Sequence, residues 1–213
     1  MNTDIVTYYK DRAGEYKEIY FKPERQEELK RIEDILKDTF KKKTVIEIAC
    51  GTGYWSERIS ETAKSIFATD INDSVLEVAR NKGYSKNNVN FQNHDLFSFN
   101  PEERFESLFG GFIWSHIKLQ ELDNFFDKVN NLILPNGTIV LIDNNYVEGI
   151  STPVTDEDEF GNTYQTRTLK DGSNHLVLKN FPREDFIREK LKSKAKEISF
   201  INLKYYWILK YNI

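Results

Sequence analysis

The sequence is poor in cysteine and has no long apolar run. Cys50 is the single cysteine among 213 residues, so no disulfide can form within the chain and nothing favours an oxidising compartment. No stretch approaches the roughly 20 apolar residues that span a bilayer. The polar N-terminus also lacks the basic-then-apolar plan of a signal peptide. We therefore expect a cytoplasmic protein without a membrane partner.

A strong excess of charge is also missing. The formal net charge is -4, and charged residues of both signs are mixed along the chain. This removes the broad attraction to phosphates that most nucleic-acid-binding proteins use, so we expect no nucleic-acid partner. The hydrophobic fraction of 39% and the aromatic fraction of 14% are typical of a globular protein with a substantial core.

Neither repeats nor Pro/Gly/Ser-rich linkers interrupt the chain, which predicts one domain over residues 1–213. Short apolar runs alternate with helical patterns, an order typical of a parallel sheet covered by helices. The predicted strands are 44–49, 65–69, 88–93, 105–110 and 138–143, and the predicted helices are 24–40, 54–61, 74–81 and 118–134.

Two local signals refine these boundaries. Ser74 with Glu77 three residues later predicts a capping box at the start of a helix. Pro135-Asn136-Gly137 predicts a turn that ends the helix before it and leads into the fifth strand.

The final third of the chain has a different pattern. Two strands at 162–169 and 174–178 flank Asp171-Gly172, which suits the primed turn of a β-hairpin. A helix at 182–191 and an antiparallel strand pair within 196–211 complete the chain. The sequence therefore predicts an inserted hairpin and a mixed sheet.

A glycine-containing loop follows the first predicted strand, in the stretch VIEIACGTGYW. Gly51 and Gly53 permit a sharp turn and the close approach of a nucleotide-like ligand at the carboxyl end of the strand. A dinucleotide fingerprint continues to a third glycine, but Ser56 stands at that position. Tyr54 and Trp55 also crowd the place that a pyrophosphate needs. A ligand without phosphates fits better.

Acidic residues lie in or after three successive predicted strands. Asp70 ends the second strand, where a carboxylate can accept hydrogen bonds from both hydroxyls of a ribose. Asp95 follows the third strand, where it can accept from an adenine amino group. Glu47, inside the first strand, can receive an ammonium group through an amide or a water. Taken singly, each glycine is also consistent with an ordinary turn, and Asp70 and Asp95 are each consistent with a helix cap or a loop acid.

Together these motifs resemble a class I S-adenosylmethionine-dependent methyltransferase. VIEIACGTGYW corresponds to the glycine motif, ATDIN to the ribose acid, HDLF to the adenine acid and TIVLIDNNY to the fifth strand. Ala49 stands where the family often has glycine. The resemblance implies an α/β, Rossmann-like, doubly wound mixed sheet of about seven strands with a reversed C-terminal strand.

The resemblance also implies a division of the chain and a cofactor. It assigns 1–40 to an N-terminal helical lid, 41–150 to a cofactor-binding core, 151–181 to a hairpin insertion over the substrate site and 182–213 to a C-terminal helix and strand pair. The expected cofactor is S-adenosyl-L-methionine, with S-adenosyl-L-homocysteine as the product. Its predicted binding residues are Tyr8, Tyr16, Glu47, Ala49, Cys50, Gly51, Gly53, Trp55, Asp70, Ile71, Asp95, Leu96 and Trp114.

His116, after the fourth strand, is the predicted general base, because a neutral imidazole can take a proton from a hydroxyl, amine or thiol nucleophile. The other interpretation is a histidine that caps a helix or bonds a backbone carbonyl. Arg167 can pair with a substrate carboxylate or phosphate, or it is a solvent-facing strand residue. The predicted substrate-binding residues are Tyr9, Asn145, Tyr146, Tyr164 and Arg167.

Several methyltransferase classes are disfavoured by what is missing. The stretch FGGFIWS lacks the Asn/Asp-Pro-Pro-aromatic turn of enzymes that methylate amino groups of nucleic-acid bases. Methylation at C5 of cytosine needs a cysteine nucleophile. Cys50 lies in the cofactor loop, where we expect it to pack and not to act as a nucleophile. Asp143-Asn144 suggests a metal site, but the partner acid is absent, so we expect no metal.

We therefore expect methyl transfer to an O, N or S atom of a small-molecule acceptor, by a monomer or homodimer. The alternatives are a non-catalytic protein that binds an adenosyl ligand and a nicotinamide-dependent oxidoreductase.

Overall fold

A computed structural model of the chain describes Tyr8 and residues 20–213. The strands of this part are β1 (Thr44–Ile48), β2 (Ser65–Asp70), β3 (Val89–Asn93), β4 (Phe105–Gly111), β5 (Ile133–Asn144), β6 (Asp156–Glu157), β7 (Thr163–Thr168), β8 (Asn174–Leu178), β9 (Lys196–Asn202) and β10 (Tyr206–Asn212). The α-helices are α1 (Gln26–Thr39), α2 (Tyr54–Ser60), α3 (Asp73–Arg80), α4 (Leu122–Asn131) and α5 (Glu184–Leu191).

The main sheet has seven strands in the order β3-β2-β1-β4-β5-β10-β9. Strands β1 to β5 run parallel to one another, whereas β10 runs antiparallel to both β5 and β9. The predicted fold class, a doubly wound mixed sheet with a reversed C-terminal strand, is therefore confirmed.

Helices cover both faces of this sheet. On one face α1, α2 and α3 contribute Leu36, Ile59 and Leu76 to a buried cluster. On the other face α4 and α5 contribute Phe126 and Ile187 to a second cluster. Successive residues of a strand point to opposite faces, so a central strand that is covered on both sides needs apolar residues throughout.

Strand β1 follows this rule with one exception. Val45 belongs to the first cluster, and Ile46 and Ile48 belong to the second. Glu47 shares the orientation of Val45 because strand side chains alternate, and it is only 1% exposed. Burying an ionised acid without a partner costs free energy, so Glu47 is a candidate functional residue.

A smaller antiparallel sheet, in the order β6-β7-β8, forms the inserted segment. The hairpin between β7 and β8 is confirmed, but its predicted primed turn is wrong. The Leu169 N–H donates to the Ser173 carbonyl at 2.9 Å, and this hydrogen bond closes the connection between the two strands. Gly172 alone in this connection has a left-handed φ, of +86°. A three-residue loop with one left-handed glycine suits the wider closure.

Two further predictions of local structure are wrong. Helix α3 begins at Asp73 after Asn72, without a side-chain cap, and the buried Ser74 hydroxyl has no hydrogen-bond partner in the described part of the chain. The turn Pro135-Asn136-Gly137 lies inside β5 as an irregularity in its pairing with β4. At Gly137 a Cβ atom would lie 2.7 Å from the Glu106 carbonyl oxygen, so this close approach needs glycine.

The predicted helix 118–134 is shorter than expected. A 3₁₀ turn at Leu119–Glu121 precedes α4. The helix ends at Asn131, and β5 begins two residues later. Among the described residues, no helix has both the length and the apolar character needed to cross a membrane.

Helix α1 is tied to the far edge of the sheet by one carboxylate. Glu28 accepts hydrogen bonds from the backbone N–H groups of Lys204 and Tyr205, both at 2.9 Å. These residues form the turn between β9 and β10. One side chain therefore joins the N-terminal helix to the C-terminal strand pair.

We predict that Glu28→Ala lowers the free energy of unfolding by about 2 kcal/mol, because two N–H groups lose a charged acceptor. Glu27→Ala, at an exposed position of the same helix, is the matched control and should change it by less than about 0.5 kcal/mol. Urea denaturation measures both. Equal stabilities of the two variants would show that this contact contributes nothing.

Candidate active site

The order of the strands places a crevice at the carboxyl end of β1. The chain leaves β1 toward β2 on one side, and β4 lies on the other side. In open α/β sheets, ligands bind at such a switch point, outside the carboxyl ends of the strands. Residues 49–53, the glycine loop, lie at this point between β1 and α2.

The glycine loop is a tight turn with three left-handed residues. Ala49, Gly51 and Gly53 have φ values of +52°, +54° and +73°. The Cys50 N–H donates to the Thr69 carbonyl at 2.9 Å, and the Gly53 N–H donates back to the Cys50 carbonyl at 3.0 Å. The loop is thereby held against the end of β2, and its bare backbone suits a ligand that approaches closely.

Asp70 connects the glycine loop to the end of β2. One carboxylate oxygen accepts the Gly51 N–H and the other accepts the Asn72 N–H, each at 2.9 Å. Burial raises the pKa of Asp70 above its usual value, although the backbone N–H donors oppose this shift. A carboxylate has about four acceptor sites, so Asp70 keeps capacity for the hydroxyls of a ribose.

Asp95 lies at the same edge of the sheet as Asp70. Strands β2 and β3 pair with Asp70 opposite Asn93, and the His94 N–H donates to the Asp70 carbonyl at 3.0 Å. Asp95 follows immediately, and its Oδ1 accepts the Phe97 N–H at 3.0 Å. The structure thus brings the glycine loop and both predicted aspartates to one edge.

Glu47 lies beneath this edge. Its Oε2 has no hydrogen-bond partner among the described residues. Burial raises the pKa of Glu47 to about 8, with the Ser56 side chain and the Lys82 charge opposing the shift. A buried acid with an unused oxygen is suited to receive a cation.

His116 lies in the 3₁₀ turn Trp114–His116 after β4 and is 7% exposed. Its Nδ1 is 2.6 Å from the Leu178 carbonyl oxygen at the end of β8. A carbonyl oxygen only accepts, so Nδ1 carries the proton, and in the neutral ring Nε2 is the unprotonated nitrogen. This is the tautomer that a general base acting through Nε2 requires.

A buried ion pair that the sequence analysis missed lies beside His116. Lys179 Nζ donates to Asp143 Oδ1 at 2.8 Å and to the Ser115 hydroxyl at 2.6 Å. The side chains of Lys179 and Asp143 are 5% and 0% exposed. The available signal in the sequence was a lysine directly after one apolar strand and an aspartate at the end of another. Their pairing does not follow from this signal, because it depends on how the insertion docks.

The chain also matches known proteins. A family model described as a methyltransferase domain matches residues 45–137. Malonyl-(acyl-carrier protein) O-methyltransferase 2 of Ilyobacter polytropus is 29% identical over 100 residues, which are 45% of this chain and 37% of that protein. The match therefore spans little more than a third of that relative's length.

Solved structures agree on the fold. The complex titled DhpI-SAM-HEP is 22% identical, with a TM-score of 0.80 and coverage of 99% of both chains. The N-methyltransferase NodS of Bradyrhizobium japonicum, in complex with S-adenosyl-L-homocysteine, is 11% identical, with a TM-score of 0.67 and coverage of 98% of both chains. At these identities the likeness shows the fold alone.

Residues 45–137 therefore match a methyltransferase domain, and the chain has the fold of these solved structures. This confirms the resemblance that the sequence motifs indicated.

Two of the aromatic residues that the sequence assigns to the cofactor, Trp55 and Trp114, lie in the core. Trp55 packs in the first core cluster, with its ring edge against Tyr54 at 4.9 Å between centroids. Trp114 packs edge-on against Trp207 at 6.0 Å in the second cluster. Both are at most 3% exposed. Their contact with a cofactor stays a prediction.

Three other predicted cofactor residues lie around the crevice of the domain or in its core. Cys50 is buried, and burial raises the pKa of its thiol, which suits the expected packing role. Leu96 is buried in the second cluster. Ile71 follows Asp70, and its carbonyl accepts the Asn93 side-chain amide at 2.9 Å.

Tyr8 lies against the inserted sheet and is 2% exposed. It forms a small cluster with Leu169 and Val177. Its ring centroid is 5.5 Å from that of His175 and 5.8 Å from the Arg167 guanidinium carbon. The predicted residues Tyr9 and Tyr16 lie outside the described residues.

The predicted substrate residues lie around the insertion and the end of β5. The Tyr164 hydroxyl donates to Asp158 at 3.0 Å, and the Asn145 amide donates to the Leu203 carbonyl at 2.6 Å. Asn145 and Tyr146 line a cavity of about 510 Å³. No group of three metal-ligating residues lies together in the part of the chain that the structure describes.

We predict that Ala49→Gly stabilises the domain by about 0.5–1 kcal/mol. An alanine at a left-handed φ costs about 1–2 kcal/mol, and glycine removes this strain at a smaller cost in unfolded-state entropy. Ala195→Gly is the control, because Ala195 has no left-handed φ, and it should destabilise. Denaturant unfolding that ranks both glycine variants below the original protein would contradict strain at Ala49.

Proposed function

We propose that this chain is an S-adenosylmethionine-dependent methyltransferase that methylates an O, N or S atom of a small-molecule acceptor. The observation that carries the proposal is the convergence at one sheet edge of the left-handed glycine loop with Asp70 and Asp95. The 2.9 Å bond from the Gly51 N–H to Asp70 joins the first two.

The residues present fit the cofactor. Asp70 would accept from the ribose hydroxyls and Asp95 from the adenine amino group, since each lies at the carboxyl end of a neighbouring strand. The glycine loop would lie against the ligand through its backbone. Glu47, with its unused oxygen, would receive the ammonium group through an amide or a water.

The chemistry demands little of the protein. S-adenosylmethionine supplies a sulfonium methyl that is already activated for transfer. The protein therefore has to align the acceptor, exclude water and accept a proton. His116 would accept that proton at Nε2, because its Nδ1–H is committed to the Leu178 carbonyl.

The acceptor would bind between the insertion and the end of β5. The cavity that Asn145 and Tyr146 line supports this position. Tyr164 and Arg167 belong to the inserted sheet, and Arg167 would pair with an anionic group of the acceptor. Tyr8, a residue of the predicted N-terminal lid, packs on the same sheet.

The comparisons support methyl transfer but leave the acceptor atom open. By their names, one relative methylates oxygen and one structural neighbour methylates nitrogen.

Binding of the cofactor without turnover of any acceptor would favour the alternative, a non-catalytic protein that binds an adenosyl ligand.

Titration calorimetry tests cofactor binding. We expect S-adenosylhomocysteine to bind and NAD not to bind. At pH 7 a carboxyl group with a pKa of about 8 is largely protonated, and an ammonium group nearby favours its ionised form. Binding should therefore release nearly one proton and should tighten as the pH rises through about 8.

The proton release is measured in phosphate and Tris buffers, whose ionisation enthalpies differ. Glu47→Gln should abolish the release, and Glu106→Gln, an exposed residue of β4, should preserve it. Release of the same size from the Glu47 variant would refute the role of Glu47. Binding of NAD in place of S-adenosylhomocysteine would refute the cofactor.

His116→Ala should lower turnover by roughly 10²-fold or more, the usual contribution of a general base, with affinity for S-adenosylhomocysteine nearly unchanged. Turnover is measured as S-adenosylhomocysteine released in the presence of a panel of alcohols, amines, thiols and carboxylates. Equal turnover of the two proteins would remove His116 from the mechanism.

A further inference from the structure

We propose that the Lys179–Asp143 ion pair is a positioning device for His116, through which the inserted sheet becomes part of the catalytic site. The proposal rests on the proposed role of His116 as general base. Lys179 and Asp143 are positioning residues, since both act through the turn that carries His116.

The ion pair holds the residue before His116 at two points. Asp143 Oδ2 accepts the Ser115 backbone N–H at 2.9 Å, and Lys179 Nζ donates to the Ser115 hydroxyl at 2.6 Å. The pair itself is closed by Lys179 Nζ and Asp143 Oδ1 at 2.8 Å. Ser115 thus lies inside a three-membered buried network, which fixes both its backbone and its side chain.

The neighbours of Lys179 in sequence hold the same turn. The Leu178 carbonyl accepts the Nδ1–H of His116 at 2.6 Å, and the Asn180 N–H donates to the Ser115 carbonyl at 2.9 Å. Three consecutive residues of the insertion therefore contact two consecutive residues of the turn. Because Lys179 is linked by peptide bonds to both neighbours, its position sets the position of the Leu178 carbonyl and so the tautomer of His116.

Burial makes this arrangement sensitive to the loss of one charge. Both charged side chains are at most 5% exposed, so Lys179→Met leaves a buried carboxylate without its cation. A double variant, Asp143→Asn with Lys179→Met, removes both charges together and keeps an acceptor for the Ser115 N–H. If the single variant does not fold, the double variant carries the test, because it leaves no unpaired buried charge.

The test reads the tautomer of His116 by nitrogen NMR of the imidazole rings at pH 8.5, where an ordinary histidine is neutral. The chain has three histidines, and His116→Asn assigns the signal. We expect one tautomer, with the proton on Nδ1, in the original protein. We expect a mixture of both tautomers in Lys179→Met and in the double variant.

Lys190→Met is the matched control, because Lys190 pairs with Asp123 at 2.9 Å at a more exposed position, away from the turn. It should leave the tautomer unchanged. Affinity for S-adenosylhomocysteine reports whether each variant is folded. A single Nδ1–H tautomer in both folded ion-pair variants would overturn the proposal.

A kinetic cycle separates this proposal from the proposed function. Lys179→Met should lower kcat at least tenfold when His116 is present and less than twofold in the His116→Ala background. Equal losses in both backgrounds would overturn positioning through His116. A complete lack of turnover in the original protein would favour the non-catalytic alternative, and the NMR result would still decide the positioning role.

Discussion

The buried ion pair between Lys179 and Asp143 is the interaction that joins the insertion to the rest of the candidate site. Moving two charges out of water costs several kcal/mol each, and their attraction offsets this only when further hydrogen bonds satisfy both groups. Here Ser115 supplies its N–H and its hydroxyl, and Asn144 adds an N–H to Asp143 at 2.8 Å. The insertion, β5 and the turn after β4 are therefore joined at one point.

A second constraint acts on the cofactor side. Asp70 accepts one backbone N–H on each carboxylate oxygen, so the same group that would hold a ribose also fixes the glycine loop. The two constraints flank the crevice at the switch point of the sheet. One fixes the loop that would contact the cofactor, and the other fixes the residue that would take the acceptor's proton.

The sequence predicted the features that depend on local pattern. Alternating apolar runs located the parallel strands, because burial on both faces leaves a continuous apolar signature. The glycine loop and Asp70 were found because each directly follows such a run.

What the sequence could not predict depends on tertiary contacts. Lys179 and Asp143 meet only because the insertion docks on the end of β5, and no short-range signal reports that docking. Ser74 has the residue type of a cap, but α3 starts one residue earlier, after Asn72. Strand β5 begins at Ile133 because Gly137 lets the chain pass close to β4, which a turn motif does not reveal.

The most direct test of the account is a crystal structure of the protein with S-adenosylhomocysteine. We expect adenosine between Asp70 and Asp95, with the sulfur facing His116 Nε2 across a space for the acceptor. Adenosine elsewhere, such as in the cavity of about 340 Å³ lined by Tyr20 and Arg58, would contradict it.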